Sequence, residues 1–521
     1  MQQFIKKHRG ELLGVLSGWD RIRFRGTFRV LSVVPGLFAW LLEQGVLLKE
    51  FKGFALGLTQ RLKTSVEGVA AAAGRKIEYL ASSALSKEAL VEELLRREKI
   101  EHGLVCVLSC VEPCHSFDIV RDPVTKHIDL ACALRKCLHW YLYYLHPVWG
   151  LCHVRIQSWL PFTVHVCVNG REWLCRSLTE ASIPFQRRDN CLVAVANVAA
   201  AQRRLNAQPW YRWSEALDTL LRQACPAVCE LTIQGMPLRR YWSAEETEWA
   251  TDLMFRSPRA LAALYPSLLR HGMTTFGSVD VLRFLGRRKF AADGGVPARF
   301  AGEIISDLRQ RPEGVRIKHR LNRNSIKMYD KQGSVLRVET TINDASDFRV
   351  YRSSEAGGPK SLRVLRKGVV DLPRRAEVSQ SANRRYLESL AAVETPTPLG
   401  TALDRLSQPV TRHGHRSRGL HPLVGADAQA IAHLLRGEFA INGFRNRDLR
   451  LLLYGETKDR QLERRQSAKL GRLLRLFRDH GLIYRVKGTH RYQLSAEGRR
   501  LLPVFPSARL ANATQLQQLV A

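Results

Sequence analysis

The stretch VRIKHRLNRNSIKMYDKQGSVLRVETTIN, residues 315–343, alternates polar and apolar side chains through three short runs separated by Asn322-Arg323-Asn324 and Gln332-Gly333-Ser334. Successive residues of a strand point to opposite faces, so a period of two with turn-forming residues between the runs reads as a three-stranded antiparallel sheet. One face then carries Arg316, Lys318, Arg320, Lys327, Tyr329, Lys331, Arg337 and Glu339. The other carries Ile317, His319, Leu321, Ile326, Met328, Leu336 and Val338. A tyrosine among so many cations has two readings. It stacks on arginine or packs at the rim of a solvated face, or its phenol is a nucleophile. In the second case nearby cations lower its pKa and hold a phosphodiester beside it, and Glu339 holds a divalent metal or orients a proton relay.

The run Ile326-Lys327-Met328-Tyr329-Asp330-Lys331, followed after a short turn by Leu336-Arg337-Val338-Glu339, resembles the tyrosine motif of plasmid rolling-circle replication initiators and filamentous-phage gene II-type proteins. Those families carry a similar R-[IF]-Y-[DN]-K run. The resemblance implies a tyrosine that attacks DNA, leaving a 5′-phosphotyrosyl link and a free 3′-OH, with a divalent metal, Mg or Mn, assisting. It makes Tyr329 the nucleophile and Lys331, Arg337 and Glu339 its supporting residues. The His-apolar-His metal motif of related enzymes has no clean copy here. His413-Gly414-His415 has the spacing, but it sits in the turn-rich RHGHRSRG, so the metal ligands stay unassigned.

Charge points to the same class of partner. The chain carries 81 Lys and Arg against 48 Asp and Glu, a net +33, which calls for an anionic partner. Residues 311–521 hold 40 of the basic and 19 of the acidic residues, so the excess concentrates in the C-terminal two-fifths. Nucleic acid, with DNA the expected form, fits better than a membrane surface. The most apolar stretch, Val30 to Leu48, is broken by Pro35 and Glu43, too short a run to span a bilayer. Lys6, Lys7 and Arg9 are followed by Glu11 and Asp20, which does not read as an export signal, and a cytoplasmic location is expected.

All eleven cysteines fall between Cys106 and Cys229. An odd number without an export signal reads as reduced thiols. Cys106, Cys110 and Cys114 are spaced by four, as are Cys225 and Cys229, but no CxxC pair is present and no zinc site is expected.

Five regions follow from the patterning. Residues 1–98 read as mostly helical around one short strand, with Arg21, Arg23 and Arg25 on one face of Trp19–Gly26 and a helix starting at Ser86. Residues 99–235, rich in cysteine and aromatics, read as an α+β layer. Its strands are expected at Gly103–Ser109, Leu138–Tyr144, Cys152–Trp159 and Phe162–Val168, with a helix at Arg171–Glu180. The crowd of His139, Trp140, Tyr141, Tyr143, Tyr144, His146, Trp149, His153 and Trp159 reads as core in preference to a base-stacking surface. Residues 236–344 combine helices at Ala244–Met254 and Pro258–His271 with the tyrosine sheet. Residues 345–424 read as a basic connector with one helical piece near Ala382–Ala392. Its Arg363, Arg366, Lys367, Arg374, Arg375, Arg384 and Arg385 are placed to follow a phosphate backbone.

Residues 425–505 resemble a winged helix-turn-helix domain. Three helices, Ala426–Arg436, Asn446–Tyr454 and Gln461–Asp479, precede a hairpin turning at Gly488-Thr489. On the third helix Leu470, Leu473, Leu474 and Phe477 share a core face, leaving Arg464, Arg465, Lys469, Arg472 and Arg475 elsewhere on its surface. With Arg485, Lys487 and Arg491 of the wing, and Lys318 and Lys327 of the tyrosine sheet, these are the expected DNA contacts. The expectation is a multidomain α+β protein, with an antiparallel sheet core, packed helices and a C-terminal winged helix. It would act as a metal-dependent single-strand endonuclease and strand-transferase, a replication initiator or transposase of a mobile element. The rival is a non-catalytic nucleic-acid-binding regulator.

Overall fold

The computed structural model describes residues 1–286, 296, 300–311, 314–353, 358–392, 399–412, 414–486 and 488–511. It is a mixed α+β chain built on antiparallel-rich sheet with packed helices. Contacts divide it into two compact units that interleave along the sequence. One comprises Met1–Val15, Thr251–Thr340 and Val378–Ala521, and the other Leu16–Ala250 and Thr341–Glu377.

In the Leu16–Ala250 unit the strand order is Arg240–Phe255, Leu12–Phe28, Val164–Asn169, Gly150–Gln157, Ile128–His146, Gly103–Arg121 and Ile77–Tyr79. The short Ile77–Tyr79 strand runs parallel to its neighbour, and the pairs from Leu12–Phe28 through Gly103–Arg121 are antiparallel. The strands expected at Gly103–Ser109 and Leu138–Tyr144 extend into a ribbon of two 19-residue strands. Its turn is fixed by the Asp122 carboxylate, which accepts from the amides of Val124 and Thr125 at 2.8 and 2.7 Å. The 22-residue helix Phe51–Ala72 buries Phe51, Ala55, Leu58, Leu62, Val66 and Ala70, a three-and-four spacing that makes one apolar stripe. The aromatic crowd is core: Trp140, Tyr143 and Trp149 are buried, and Trp149 stacks on Trp213 at 5.6 Å.

One helix expectation is wrong. Ala244–Met254 lies within a 16-residue strand, Arg240–Phe255. The segment AEETEWATDLM is rich in helix formers, but pairing with strands distant in sequence overrides that weak preference. The change also explains the arginine row. Arg21 meets Glu246 at 2.6 Å and Arg23 meets Glu245 at 3.1 Å, so the row is answered by carboxylates of that strand.

Residues 345–424 are more folded than a connector. They form the hairpin of Arg349–Ser353 with Lys360–Val364, the helices Leu372–Leu390 and Leu399–Ser407, and the pair Val410–Arg412 with His415–Ser417. Arg375 is buried and donates to the carbonyls of Ala244 and Ile342, and Arg385 donates to the Phe284 carbonyl at 2.7 Å. Those two side chains serve the fold and are not placed to follow a phosphate backbone.

In the other unit the tyrosine sheet is the expected one, with an added edge strand. Gly314–Leu321, Asn324–Lys331 and Val335–Ile342 follow one another in the sheet, and Ile304–Arg311 pairs antiparallel to the first. The turns need positive φ, which Asn322 (53°), Gln332 (56°) and Gly333 (67°) supply. The apolar face is covered by helices: Tyr265 of Pro258–Thr274 donates to the Val315 carbonyl, and Phe276, Phe284 and Tyr386 form an edge-to-face cluster with centroids 4.9 to 5.3 Å apart. Pro258–His271 is helical as expected, extending to Thr274.

Ile317 lies at the centre of that face and is fully buried, whereas Leu308 on the edge strand is half-exposed. Ile317→Ala should cost about 2–5 kcal/mol, read as a drop in the urea unfolding midpoint. Leu308→Ala should move it by less than about 1 kcal/mol. Equal shifts would mean the apolar face is not core.

Candidate active site on the tyrosine sheet

Alternation puts Tyr329 and Lys327 on the polar face of Asn324–Lys331, and Arg337 and Glu339 on the matching face of Val335–Ile342. Across the other edge Arg316 stands opposite Tyr329 and Lys318 opposite Lys327. This face is not a solvated rim. Tyr329 is 8% exposed, Glu339 1% and Arg337 0%. Such depth requires every charge to find a partner.

The partners are specific. The Tyr329 hydroxyl donates to Glu339 Oε2 at 2.8 Å, and Lys327 Nζ sits 2.5 Å from Glu339 Oε1. Arg337 makes a two-pronged pair with Asp252, Nε to Oδ1 at 2.6 Å and Nη2 to Oδ2 at 2.9 Å. Of the four residues expected to carry chemistry, two are therefore in contact, Tyr329 and Glu339. Arg337 is aimed at Asp252, and Lys331 is half-buried one alternation beyond Tyr329. Lys327, expected as a DNA contact, instead joins the glutamate. Asp252 was missed because its segment reads as helix.

Hydrogen bonds through Asn383 fix the strand that holds Glu339. Thr340 Oγ1 donates to Asn383 Oδ1 at 2.7 Å, and Asn383 Nδ2 donates to the Val338 carbonyl at 3.0 Å and to Thr251 Oγ1 at 3.1 Å. On the apolar face, burial pushes His319 down to about 4, so the ring is neutral, with Nδ1 2.7 Å from Ser306 Oγ and Nε2 3.2 Å from the Tyr386 hydroxyl.

The cationic neighbours leave an electrostatic mark. Burial lowers the Lys318 ammonium, and the charges of Lys327, Arg316 and Arg320 lower it further. A face that disfavours its own protons in this way favours an anion. The Glu339 carboxylate is paired with the Lys327 ammonium, and Asp307 stands opposite Lys318 on the same face.

The C-terminal segment carries the other cluster of expected site residues. The helix Arg460–Asp479 starts at Asp459, whose carboxylate accepts from the amides of Gln461 and Leu462, and ends at Gly481 with φ 73°. Arg464, Arg465, Lys469, Arg472 and Arg475 are all exposed. At about 100° per residue they fall within one arc of about 140°, opposite Leu470, Leu474 and Phe477. Those three are buried. Ile483–Arg485 and Tyr492–Leu494 form the hairpin, and Phe444 exchanges backbone hydrogen bonds with Tyr492 at 2.9 and 2.7 Å. A helix not foreseen, Gly437–Asn442, precedes that contact. Arg485 is exposed and donates to the Thr489 carbonyl at 2.8 Å, while Arg491 is half-buried. A cleft of about 650 Å³ lies between this helix, Asn446–Tyr454 and the hairpin, lined by Arg445, Arg447, Arg464, Arg485 and His490 among others. Lys487 and His413 lie outside the described residues.

No family model, no curated protein and no solved structure matches the chain. Among the described residues no helix is long and apolar enough to cross a membrane.

Burial raises the Glu339 carboxyl, but Lys327 and Arg337, with hydrogen bonds from Lys327 and Tyr329, more than reverse this and hold it below the ordinary carboxylate range. A carboxylate depressed in the folded state contributes stability that is complete above its unfolded value of about 4.3 and is lost as pH falls through the folded value. Glu339→Gln should therefore flatten the fall of the urea midpoint between about pH 5 and the acid limit of folding. An unchanged acid slope in the variant would show that Glu339 is not the group responsible.

Proposed function

We propose that the chain binds DNA and breaks one strand with Tyr329 as nucleophile, as a replication initiator or transposase of a mobile element does. The observation that carries this reading is the 2.8 Å hydrogen bond from the Tyr329 hydroxyl to Glu339, on a sheet face crowded with cations. In the proposed step Tyr329 Oη attacks phosphorus and its proton passes to Glu339. The bond from phosphorus to O3′ breaks, and O3′ takes a proton from water to become a free 3′-OH. The tyrosine keeps the 5′-phosphate, so the bond energy is retained for rejoining. Arg316 and Lys318, across the strand pair from Tyr329 and Lys327, hold the phosphodiester.

The depressed Glu339 is a weak base while Lys327 is bound to it. A phosphate that draws Lys327 toward itself removes the largest favourable charge acting on the carboxylate and raises its proton affinity at the moment the proton must move. Arg337, tied to Asp252, is a positioning residue: it fixes the strand that presents Glu339. A divalent ion, if the reaction uses one, would be held by Glu339 and would supply charge neutralisation at a phosphoryl oxygen.

We assign the C-terminal segment as a winged helix that delivers DNA. The support is the order of its helices, the Phe444 bridge to the hairpin and the one-sided cation arc of Arg460–Asp479. That helix would lie in the major groove, with the hairpin on the backbone.

The burial of Tyr329 favours a second reading, a DNA-binding regulator in which the tyrosine only braces the sheet. Covalent capture separates the two. Incubated with labelled single-stranded DNA and Mg²⁺ or Mn²⁺, the protein should give a denaturation-resistant adduct that Tyr329→Phe lacks and that Glu339→Gln forms about 10²–10⁴-fold more slowly. An adduct that persists unchanged in Tyr329→Phe would overturn the assignment of Tyr329 as nucleophile, and no adduct with any strand would favour the regulator.

Binding has its own test. Replacing Arg472 and Arg475 by alanine should weaken duplex binding and reduce the steepness of its log–log salt dependence by about 0.9 per lost phosphate contact. An unchanged slope would place the DNA elsewhere.

A further inference from the structure

The long ribbon of the Leu16–Ala250 unit carries a pair of cysteines that the proposed reaction does not use. Cys114 lies on Gly103–Arg121 and Cys137 on Ile128–His146. The register sets Glu112 opposite Cys137 and Cys114 opposite Arg135, so the two cysteines share a face as diagonal neighbours. Their sulfurs are 3.4 Å apart, already in contact without a change of strand register. A disulfide brings the sulfurs to about 2.05 Å, which for diagonal neighbours takes side-chain rotation together with a small approach of the two strands. Burial differs usefully: Cys114 is 8% exposed and Cys137 is partly open to solvent.

We propose that Cys114 and Cys137 are a reversible redox pair, closed to a disulfide by a hydroperoxide. Cys137, the more exposed of the two, is the residue oxidised first. Contact with Cys114, His139 and Ser158 holds Cys137 below the ordinary thiol range against the opposing effect of burial. The same contact raises Cys114. The His139 ring lies within 4.0 Å of the Cys137 sulfur. A low, partly exposed thiol beside a second, protonated one is the arrangement of an attacking and a resolving cysteine.

The step balances as follows. The Cys137 thiolate sulfur takes the terminal peroxide oxygen, the O–O bond breaks, and the other oxygen leaves as water or an alcohol. The Cys114 sulfur then attacks the sulfenic sulfur, the S–O bond breaks, and the oxygen leaves as water with the Cys114 proton. Two thiols are oxidised by two electrons and one hydroperoxide is reduced. A dithiol reductant reverses it.

The experiment uses the full chain. After treatment with hydrogen peroxide and denaturation, free thiols are alkylated with N-ethylmaleimide and the peptides mapped. Two of the eleven cysteines should escape alkylation, joined in one cross-linked peptide pair containing Cys114 and Cys137, and dithiothreitol should restore all eleven. In Cys114→Ser the cross-link should vanish and a cyclic 1,3-dione should trap sulfenic acid on Cys137. Cys132→Ser, which changes an exposed thiol on the same strand, should leave the cross-link intact. Full alkylation of both residues after peroxide, over-oxidation without a cross-link, or pairing of Cys137 with a different cysteine would each overturn the proposal. The mapping of the native chain decides alone if Cys114→Ser fails to fold.

Discussion

The tyrosine sheet depends on keeping charge in a place that water does not reach. Glu339 and Arg337 lie on one strand face and are almost fully buried, and each is matched by an oppositely charged side chain at 2.5 to 2.6 Å. Removing one partner of such a pair typically costs about 3–5 kcal/mol because the other is left uncompensated. The arrangement is therefore demanding. Strand register, turn geometry and the position of Asp252 must all be correct before the charges are satisfied, and together they hold the Tyr329 hydroxyl on the carboxylate.

That demand explains the scaffolding around the face. Asn383 ties its helix to the backbone at Val338 and to the side chains of Thr340 and Thr251, fixing the strand next to Glu339. On the opposite face Phe276, Phe284 and Tyr386 fill the space over Ile317 and His319 with interlocked rings. Rigid apolar packing on one side supports a charged, strictly paired surface on the other, the usual condition for a pre-organised site. The cationic arc of Arg460–Asp479 follows a different logic. Its charges are exposed and cost little to hold, which suits electrostatic attraction of a polyanion more than chemistry.

Much of this was legible in the chain. The two faces of residues 315–343 could be sorted from alternation alone, and the turn positions followed from Asn322 and Gln332-Gly333, where positive φ is required. The helix expected to start at Ser86 does so, with the Ser86 hydroxyl accepting from the Ala89 amide. The strand Arg240–Phe255 was not legible, because AEETEWATDLM has the composition of a helix and a strand is stabilised by neighbours far away in sequence. With it were lost Asp252, the partner of Arg337, and the glutamates that answer Arg21 and Arg23. The arginines of residues 345–424 were misjudged for a related reason: composition counts charges, and it does not reveal that Arg375 and Arg385 are spent on backbone carbonyls.

By itself the sequence determined the period-two alternation that sets Tyr329, Lys327, Arg337 and Glu339 on one face, the helical spacing that turns five cations away from a leucine core, and a net charge of +33. These are local or summed properties, fixed by bond geometry and composition. Tertiary structure alone decided which charges meet: Tyr329 and Lys327 with Glu339, Arg337 with Asp252, and Cys114 with Cys137. Partner choice depends on which strands lie side by side and in what register. Those pairings join residues up to 85 positions apart, as with Asp252 and Arg337, at separations where no sequence period operates.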